Sequence, residues 1–295
     1  MPAVTIGLPF HAERACLGDA IRSVFAQTVT DWELLLVDDG STDGSLDIAR
    51  SVRDPRVHVV SDGTRRRLSF RLNQISQLAR GELVARLDAD DMLHPERLER
   101  QLRVLSEQPS VDLVSTAMAN IRADGELLSI AGDGPLRADP RSVLRRGLLS
   151  HGTMTARRAW MLANPYSEQY PRAEDHDLFV RTYGTVRVEH LNEALYLLRY
   201  RKEAEGMLRD YIATRRDNRR VIRKHGRPMV GRLALAPILA ESFAKEAVFR
   251  VVTALGRQGA LIARRGRPPT AAERHEAADA LRRIRETRVP GMDST

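Results

Sequence analysis

The first part of the chain alternates between two hydrophobic patterns. Short apolar runs rich in β-branched residues alternate with segments in which apolar positions recur every three or four residues. The short runs predict strands at 3–9, 32–39, 56–60, 82–88 and 111–119. The longer segments predict helices at 16–27, 45–52, 68–79 and 95–108. This alternation is typical of βαβ units, so we expect an α/β fold with a mostly parallel, Rossmann-like sheet flanked by helices.

The pattern changes further along the chain. The segment 120–203 is less regular, with predicted extended pieces around 122–128, a strand followed by a helix at 151–160, a helix at 173–184 and a strand at 195–201. A basic segment then predicts a helix that ends at Gly226, and 232–256 predicts two helical pieces interrupted by Pro237. After a basic linker at 263–269, Thr270 and Glu273 form a capping-box pattern that begins a last helix over 270–286.

Composition narrows the class of protein. The chain has 295 residues, of which 42% are apolar and 29% charged, as in soluble globular proteins. A single cysteine, Cys16, excludes an internal disulfide framework and a cysteine-based zinc site. The sequence predicts neither a signal peptide nor a transmembrane helix, so we expect a cytoplasmic protein. The net charge of +8 is mostly arginine and indicates either a biased genome or an anionic partner, such as a membrane surface.

Acidic residues follow two of the predicted strands. Asp38 and Asp39 close one strand, and Asp88, Asp90 and Asp91 follow another. In parallel sheets ligands bind beyond the carboxyl ends of the strands, and carboxylates there can bind Mg²⁺ or Mn²⁺ together with phosphate oxygens. The alternative is that these acids only cap a helix or occupy a surface turn.

A third acidic group begins the predicted helix at 173–184. Glu174, Asp175 and Asp177 lie within four positions of one another. A carboxylate here could take a proton from an attacking hydroxyl. The alternative is that acids simply favour the N-terminus of a helix.

Two long segments, "AIRSVFAQTVTDWELLLVDDGSTDGS" and "GELVARLDADDMLHPERLERQ", strongly resemble glycosyltransferase family 2. The resemblance covers residues 3–119 densely and 150–201 more loosely. It implies the A-type nucleotide-sugar fold and transfer of a sugar from a nucleotide-diphosphate donor with inversion at the anomeric carbon. It further implies a catalytic domain over 1–203, divided into a nucleotide-sugar half (1–119) and an acceptor half (120–203), followed by a basic helical extension over 204–295.

The resemblance also assigns roles to individual residues. Asp175 matches the catalytic base, with Glu174 as its neighbour. Asp90, with Asp88, would bind Mn²⁺ or Mg²⁺. The residues expected to contact the nucleotide sugar are Pro9, His11, Asp39, Arg67, Asn73, Asp88, Ala89 and Asp90. The segment 151–158 resembles the part of the family that lines the acceptor side.

The sequence departs from the family pattern at several positions. His11 replaces the usual stacking aromatic residue, and Ala12 the asparagine that follows it. Arg67 lies close to the position of an expected glycine, and Glu203 stands where the family often has a histidine. Arg65 to Arg67 could reach the donor phosphates or form a solvated loop.

Other functions remain as alternatives. A catalytically inactive nucleotide-sugar-binding protein of the same fold would retain the same motifs. A sugar-nucleotide pyrophosphorylase would need a glycine-rich, basic loop after the first strand, which "GLPFHAERA" does not supply. Nucleic-acid binding is not expected, because the basic residues are interspersed with acids and few aromatics. The expected partners are the donor and a glycan, lipid-linked or small-molecule acceptor. Peripheral membrane contact through the basic C-terminal helices, and a homodimer, are left open.

Overall fold

The computed structural model describes residues 1–200, 207–255 and 266–293. Within these residues the strands are β1 Val4–Phe10, β2 Trp32–Asp38, β3 Val57–Val60, β4 Leu83–Arg86, β5 Met92–Leu93, β6 Leu113–Ile121, β7 Leu127–Ala131, β8 Thr155–Arg157 and β9 Val188–Arg199. The helices are α1 Leu17–Phe25, α2 Ser45–Ser51, α3 Arg67–Leu78, α4 Arg97–Glu107, α5 Pro140–Arg146, α6 Arg158–Ala163, α7 Glu174–Arg181, α8 Met207–Ala254 and α9 Ala271–Glu286. Every strand and helix predicted over 3–119 is present within a few residues, which confirms the α/β class.

The strands form one mixed sheet in the order β3-β2-β1-β4-β8-β6-β9-β5, with β7 paired to β6. The four strands at the β3 end are mutually parallel, as the sequence predicts. Beyond them β8 runs antiparallel to both β4 and β6, while β9 is parallel to β6. Each antiparallel pair therefore includes at least one strand that follows β6 in the chain, namely β7, β8 or β9.

The position of β1 between β2 and β4 brings three strand ends together. Phe10 of β1 pairs with Asp38 of β2, and Gly7 pairs with Arg86 of β4. The residues that follow β1, β2 and β4 therefore emerge side by side at one edge of the sheet. Gly7 also lets α3 approach, since a Cβ atom there would lie 2.4 Å from Cγ2 of Ile75.

Helix α8 is a hairpin of two antiparallel arms. Gly231, with φ of 75°, breaks the helical conformation between arm one (207–230) and arm two (232–254). Tyr211 stacks on Phe249 at 4.0 Å, and Arg219 pairs with Glu246 at 2.8 Å across the hairpin. The predicted helix end at Gly226 and the predicted interruption at Pro237 are both wrong. Gly226 instead lies at the contact between the arms, where a Cβ atom would lie 2.5 Å from Leu235.

The last helix returns to the first part of the chain. Thr270 accepts the N–H of Glu273, and Glu273 accepts the N–H of Thr270, so the predicted capping box is confirmed. Ala277, Leu281 and Ile284 of α9 pack in a cluster with residues of β6, β7 and β9. The segment after α9 reaches α1 and α2, because the N–H of Arg53 donates to the carbonyl of Pro290 at 2.7 Å and Arg22 pairs with Asp293.

Two further sequence predictions concern residues outside the described ranges and the possibility of a membrane-spanning helix. Glu203, which stands where the family often has a histidine, and the start of the predicted linker at 263–269 lie outside the described residues. Among the described residues, no helix combines the length and the apolar character needed to cross a bilayer.

Candidate active site

A cavity of about 1320 Å³ opens at the edge of the sheet where β1, β2 and β4 end. Its walls are these strand ends, the loop before α3, the start of α7 and one face of arm one of α8. Most of the predicted site residues line it, namely Pro9, His11, Asp39, Arg67, Asp88, Ala89, Asp90 and Glu174. Residues more than 160 positions apart in the sequence therefore meet in one space.

Asp39 anchors the loop that precedes α3. Its Oδ1 accepts N–H groups from Arg66 at 2.6 Å, from Arg67 at 3.1 Å and from the Arg71 guanidinium at 3.0 Å. Arg71 is fully buried and also binds Asp62 at 2.6 Å, so it neutralises two carboxylates. Asp39 therefore shapes the pocket wall, and its predicted hydrogen bond to a nucleobase stays a prediction.

Two residues, Arg67 in this wall and Ala12 next to His11, have backbone conformations that favour glycine. Arg67 has φ of 71° and Ala12 has φ of 56°. The expected family glycine near Arg67 is thus replaced by a residue held in the left-handed region, at an energetic cost. Its exposed side chain lines the cavity together with Arg65. His11 lies nearby, with Nδ1 at 3.0 Å from the carbonyl oxygen of Asp39.

Asp88 is held by a buried cation. Arg86, only 4% exposed, donates to Oδ1 of Asp88 at 2.6 Å and contacts the ring nitrogens of His151. Burial by itself would raise the pKa of Asp88, but the charge and the hydrogen bonds of Arg86 offset it, so the pKa is lowered. Burial, then the Arg86 charge, lower the pKa of His151 to about 4, which keeps this ring neutral near pH 7.

Asp91 differs from its two acidic neighbours because it faces the protein interior. The hydroxyl of Tyr196 donates to its Oδ2 at 2.8 Å, and the N–H of Arg199 donates to its Oδ1 at 2.8 Å. Burial and the charges of Asp90 and Asp88 raise its pKa well above the usual value. Asp91 thus joins the loop after β4 to β9 rather than facing the cavity.

The donor set fits a divalent cation that is shared with a substrate. The described residues contain no group of three or more acidic, histidine or cysteine side chains arranged around one point. Mg²⁺ and related ions are commonly held by one or two carboxylates together with substrate phosphates. Asp90 lines the cavity, and Asp88 offers Oδ2 beside it while Oδ1 is bound to Arg86.

Glu174 brings a second carboxylate to the cavity. It is buried at the start of α7, with Oε1 at 3.9 Å from Nε2 of His151. Burial, then the charge of Asp175, raise its pKa to about 7. A carboxyl group with this pKa can exchange a proton near neutral pH. Asp175 is half-buried beside it, and its Oδ1 accepts the N–H of His176 at 2.7 Å.

Two predicted site residues do not line the cavity. Asn73 donates to the carbonyl of Tyr166 at 2.9 Å and accepts the Tyr166 N–H at 2.8 Å. These hydrogen bonds join α3 to the segment of Tyr166, and the predicted contact of Asn73 with the nucleotide sugar stays a prediction. Asp175 is the other, although it adjoins Glu174.

Sequence reasoning missed three contributors to the site. Arg86 is a charged residue in an otherwise apolar strand, which was a usable signal for an internal ion pair. Arg71 gave the same kind of signal in the amphipathic helix α3. The face of α8 that lines the cavity gave no such signal, because the resemblance stops before it.

Comparisons with known proteins show the family of the chain. The family model described as Glycosyl transferase family 2 matches residues 5–149. The chain is 31% identical over 212 residues to EpsE of Bacillus subtilis, named as a glycosyltransferase, which covers 69% of this chain and 75% of EpsE. It is 29% identical over 199 residues to chondroitin synthase of Escherichia coli, covering 66% of this chain but only 29% of that protein.

Two solved structures share the fold. TarS 1–349 of Staphylococcus aureus has a TM-score of 0.60 at 19% identity, covering 97% of this chain and 81% of TarS. The mannosyltransferase PcManGT of Pyrobaculum calidifontis, in complex with GDP-Man and Mn²⁺, has a TM-score of 0.56 at 19% identity, covering 96% and 86%. At this identity the likeness concerns the fold alone.

Proposed function

We propose, given that the chain belongs to glycosyl transferase family 2 and is a glycosyltransferase, that it transfers a sugar from a nucleotide-diphosphate donor with inversion and with a divalent cation. The observation that supports this most directly is the single cavity lined by Asp39, Asp90 and Glu174 at the strand ends. The residues at the strand ends are those expected to contact the nucleotide sugar, and the carboxylates of Asp90 and Glu174 line the same cavity.

Different residues of the cavity have different roles in the proposed reaction. Asp39 fixes the loop bearing Arg65 and Arg67, whose guanidinium groups face the donor diphosphate. Asp90 would hold Mn²⁺ or Mg²⁺, with Asp88 beside it, and a bound ion would neutralise charge on the departing diphosphate. A carboxylate of the Glu174–Asp175 pair takes the proton of the acceptor hydroxyl while that oxygen displaces the diphosphate.

Asp175 is the base that the resemblance selects, and Glu174 is the carboxylate that lines the cavity. We keep Asp175 as the proposed base and Glu174 as its partner. The roles of these two residues are distinguished by measuring transfer by the variants Asp175→Asn and Glu174→Gln with the donor at saturation. Loss of the base lowers kcat by about 10²- to 10⁴-fold with nucleotide affinity nearly intact. Turnover like that of the unaltered chain in Asp175→Asn would remove Asp175 from this role.

The donor and acceptor are proposed from the neighbours. TarS structures include complexes with UDP and with UDP-GlcNAc, and PcManGT one with GDP-Man and Mn²⁺. Relatives are named for chondroitin, hyaluronan, teichuronic acid and O-antigen synthesis. We therefore propose that the chain acts in the assembly of a surface or extracellular polysaccharide.

The experiment that tests the function starts with a screen of nucleotide sugars. Each is added with Mn²⁺ to the full chain, and the melting temperature is followed, since a specific donor stabilises the folded state by mass action. The donor that stabilises most is then tested for transfer and hydrolysis. The alternative, an inactive binding protein, would show stabilisation without release of nucleoside diphosphate.

A second proposal concerns the outer face of arm two of α8. Exposed apolar residues recur there at helical spacing, namely Leu233, Ala236, Pro237, Ala240, Phe243, Ala244, Ala247, Val248, Val251, Ala254 and Leu255. Leu233 is 94% and Val251 59% exposed. The most exposed charges on this arm are basic, because Glu241 and Glu246 are drawn into ion pairs.

We propose that this apolar row docks on an anionic membrane, where basic side chains beside an apolar face favour binding. Flotation with vesicles containing phosphatidylglycerol tests it. The full chain is expected to float, and Leu233→Asp with Val251→Asp to stay in solution. Flotation of both proteins would contradict the proposal. Failure to float, together with dimerisation that this double variant abolishes, would assign the face to a second copy instead.

A further inference from the structure

One face of arm one of α8 forms a wall of the cavity. Arg209, Ile212, Ala213, Arg216 and Arg220 line it, and their spacing of three or four positions places them on one side of the helix. Arg172, from the segment before α7, lines the same wall. We call Arg172, Arg209, Arg216 and Arg220 the arginine wall.

The charge of the arginine wall is only partly neutralised. Arg172 pairs with Asp210 at 2.9 Å, while Arg209, 83% exposed, lies 3.9 Å from the same carboxylate. Arg220 donates to Asp217 at 2.9 Å. Arg216 is exposed, and none of the residues in 1–200, 207–255 or 266–293 is recorded in an ion pair with it. Among the described residues, the ion pairs of the wall's four cations involve two carboxylates, Asp210 and Asp217, so this part of the wall carries excess positive charge.

Some of these guanidinium groups are also fixed in position. Arg220 donates to the carbonyl of Gln169 at 3.1 Å and lies over the ring of Tyr170 at 5.1 Å. The Tyr170 side chain packs in a buried cluster with Val221 and Ile222 of α8. Arm one is therefore tied to the segment that leads into α7, and Arg220 is held on the wall of the cavity that Glu174 also lines.

The arginine wall and the arginines proposed to face the donor diphosphate belong to different elements around the cavity. Arg65 and Arg67 belong to the loop before α3, which touches the end of β2 at Asp39. Arg172 precedes Glu174 by two residues on a different element. In an inverting displacement the acceptor attacks from the side opposite to the leaving diphosphate, so the groups around the proton-accepting carboxylate face the acceptor.

We infer that the arginine wall binds an oxyanion carried by the acceptor, either a phosphate or a carboxylate. Guanidinium groups recognise both with paired hydrogen bonds, and several of them at one wall favour an acceptor that is charged near the hydroxyl to be glycosylated. The inference rests on the proposed function, because the acceptor side of the cavity is assigned from the proposed inverting displacement.

Three probes with the same alkyl chain, and with glucose or its C6 acid as the sugar, test the inference. They are octyl glucoside, which is neutral, octyl glucuronide, which has a carboxylate, and octyl glucosyl phosphate, which has a phosphodiester. Each is titrated by calorimetry, below its micellar concentration, into the full chain saturated with Mn²⁺ and the nucleoside diphosphate chosen by the thermal screen. At least one anionic probe is expected to bind about tenfold or more tightly than the neutral one, and the better of the two identifies the oxyanion.

Variants then locate the binding. Arg216→Glu is expected to weaken the preferred anionic probe by about 10- to 100-fold, as for a lost hydrogen bond between charged groups. Arg216→Lys is expected to retain much of the affinity. Arg227→Glu, an exposed residue on α8 outside the cavity lining, is the matched control and is expected to bind like the unaltered chain. Arg209→Glu provides a second variant at an exposed position.

Two outcomes would overturn the inference. One is equal affinity of the unaltered chain for all three probes. The other is a loss of nucleoside diphosphate affinity in Arg216→Glu with unchanged probe binding, which would place the wall on the donor side. Failure of the proposed function would look different, because donor turnover would then be missing from the unaltered chain whatever the probes do.

Discussion

The three acids after β4 show how neighbouring side chains of one kind take different tasks. Asp88 is compensated by Arg86, and Asp91 accepts hydrogen bonds from Tyr196 and from the backbone of Arg199. Asp90 lines the cavity, as Asp88 does. Like charges this close would repel one another in a polar turn, and the buried cation and donors reduce that cost. This arrangement distinguishes Asp91, which is bound inside the protein, from Asp90, which lines the cavity.

Asp90→Ala and Asp91→Ala are expected to fail in different ways. Without Asp90, affinity for the nucleoside diphosphate in Mn²⁺ falls by about tenfold or more, because a carboxylate that shares the ion is lost. Without Asp91, the buried hydroxyl of Tyr196 loses its acceptor, and stability falls by about 1–3 kcal/mol. Calorimetry with and without Mn²⁺ and urea unfolding measure the two effects. Unchanged Mn²⁺ dependence in Asp90→Ala would exclude Asp90 as the metal ligand.

Glu174 links the site to the pH dependence of stability. Its pKa of about 7 in the folded chain compares with 4.5 as the ordinary value. Between these values the folded state binds more protons than the unfolded state, so stability falls as pH rises from about 4.5 to 7. Glu174→Gln removes this loss, and its stability relative to the unaltered chain should increase over the window by up to about 3 kcal/mol. Urea unfolding at pH 5 and pH 8 measures the change. Parallel profiles of the two proteins would contradict the assignment.

At the scale of elements, the sequence correctly predicted the strands and helices that have a clear hydrophobic period. It failed for elements whose position depends on contacts between distant residues. The A-type fold that the resemblance implies is confirmed, and the strands and helices of 3–119 lie where periodicity places them. The two-residue strand β5 and the short helix α5 were missed, because pieces of this length have no usable period. The break of α8 was placed at Gly226 and Pro237, since local propensity could not reveal that Gly226 is needed where the arms touch.

The start of α3 shows how far the resemblance could guide the site. It predicted a departure near Arg67, and the positive φ of Arg67 explains why glycine would suit that place. It could not predict that Asp39 would accept the backbone N–H groups of this loop, because a hydrogen bond between residues 27 and 28 positions apart depends on the finished sheet. For the same reason, the structural role of Asn73 could not be predicted from the sequence.

Arg67→Gly is expected to increase the stability of the chain and to weaken ligand binding. Glycine relieves the left-handed backbone and raises stability by up to about 1 kcal/mol after its entropic cost. The loss of a guanidinium at the cavity should weaken nucleoside diphosphate binding by about tenfold. Arg65→Gly is the matched control, because Arg65 lines the same cavity without a positive φ. It should lose affinity and gain no stability. Equal stability changes in the two variants would contradict a strained Arg67.

At the scale of the whole molecule, the C-terminal extension contributes to two different places. Arm one of α8 packs on α5 and α7 beside the cavity, with Val221 and Ile222 fully or nearly buried. Helix α9 packs on β6, β7 and β9. After it, Val289 joins the hydrophobic cluster that contains side chains of β1 and β2. The predicted division at 203 therefore describes composition, and whether the two parts are separate domains stays a prediction.

Truncation after residue 203 measures how far the extension completes the core. It removes Ile284 and Val289, each 1% exposed, and Leu281, 4% exposed. Burying such side chains contributes about 1.5–3 kcal/mol each, so their joint loss approaches the total stability of a typical domain. We expect circular dichroism to show an unfolded or aggregated chain. Leu281→Ala in the full chain should cost about 2–5 kcal/mol, whereas Arg282→Ala, an exposed neighbour on α9, should cost less than about 1 kcal/mol. A truncated chain that folds cooperatively and still hydrolyses the donor would instead establish 1–203 as an independent catalytic domain.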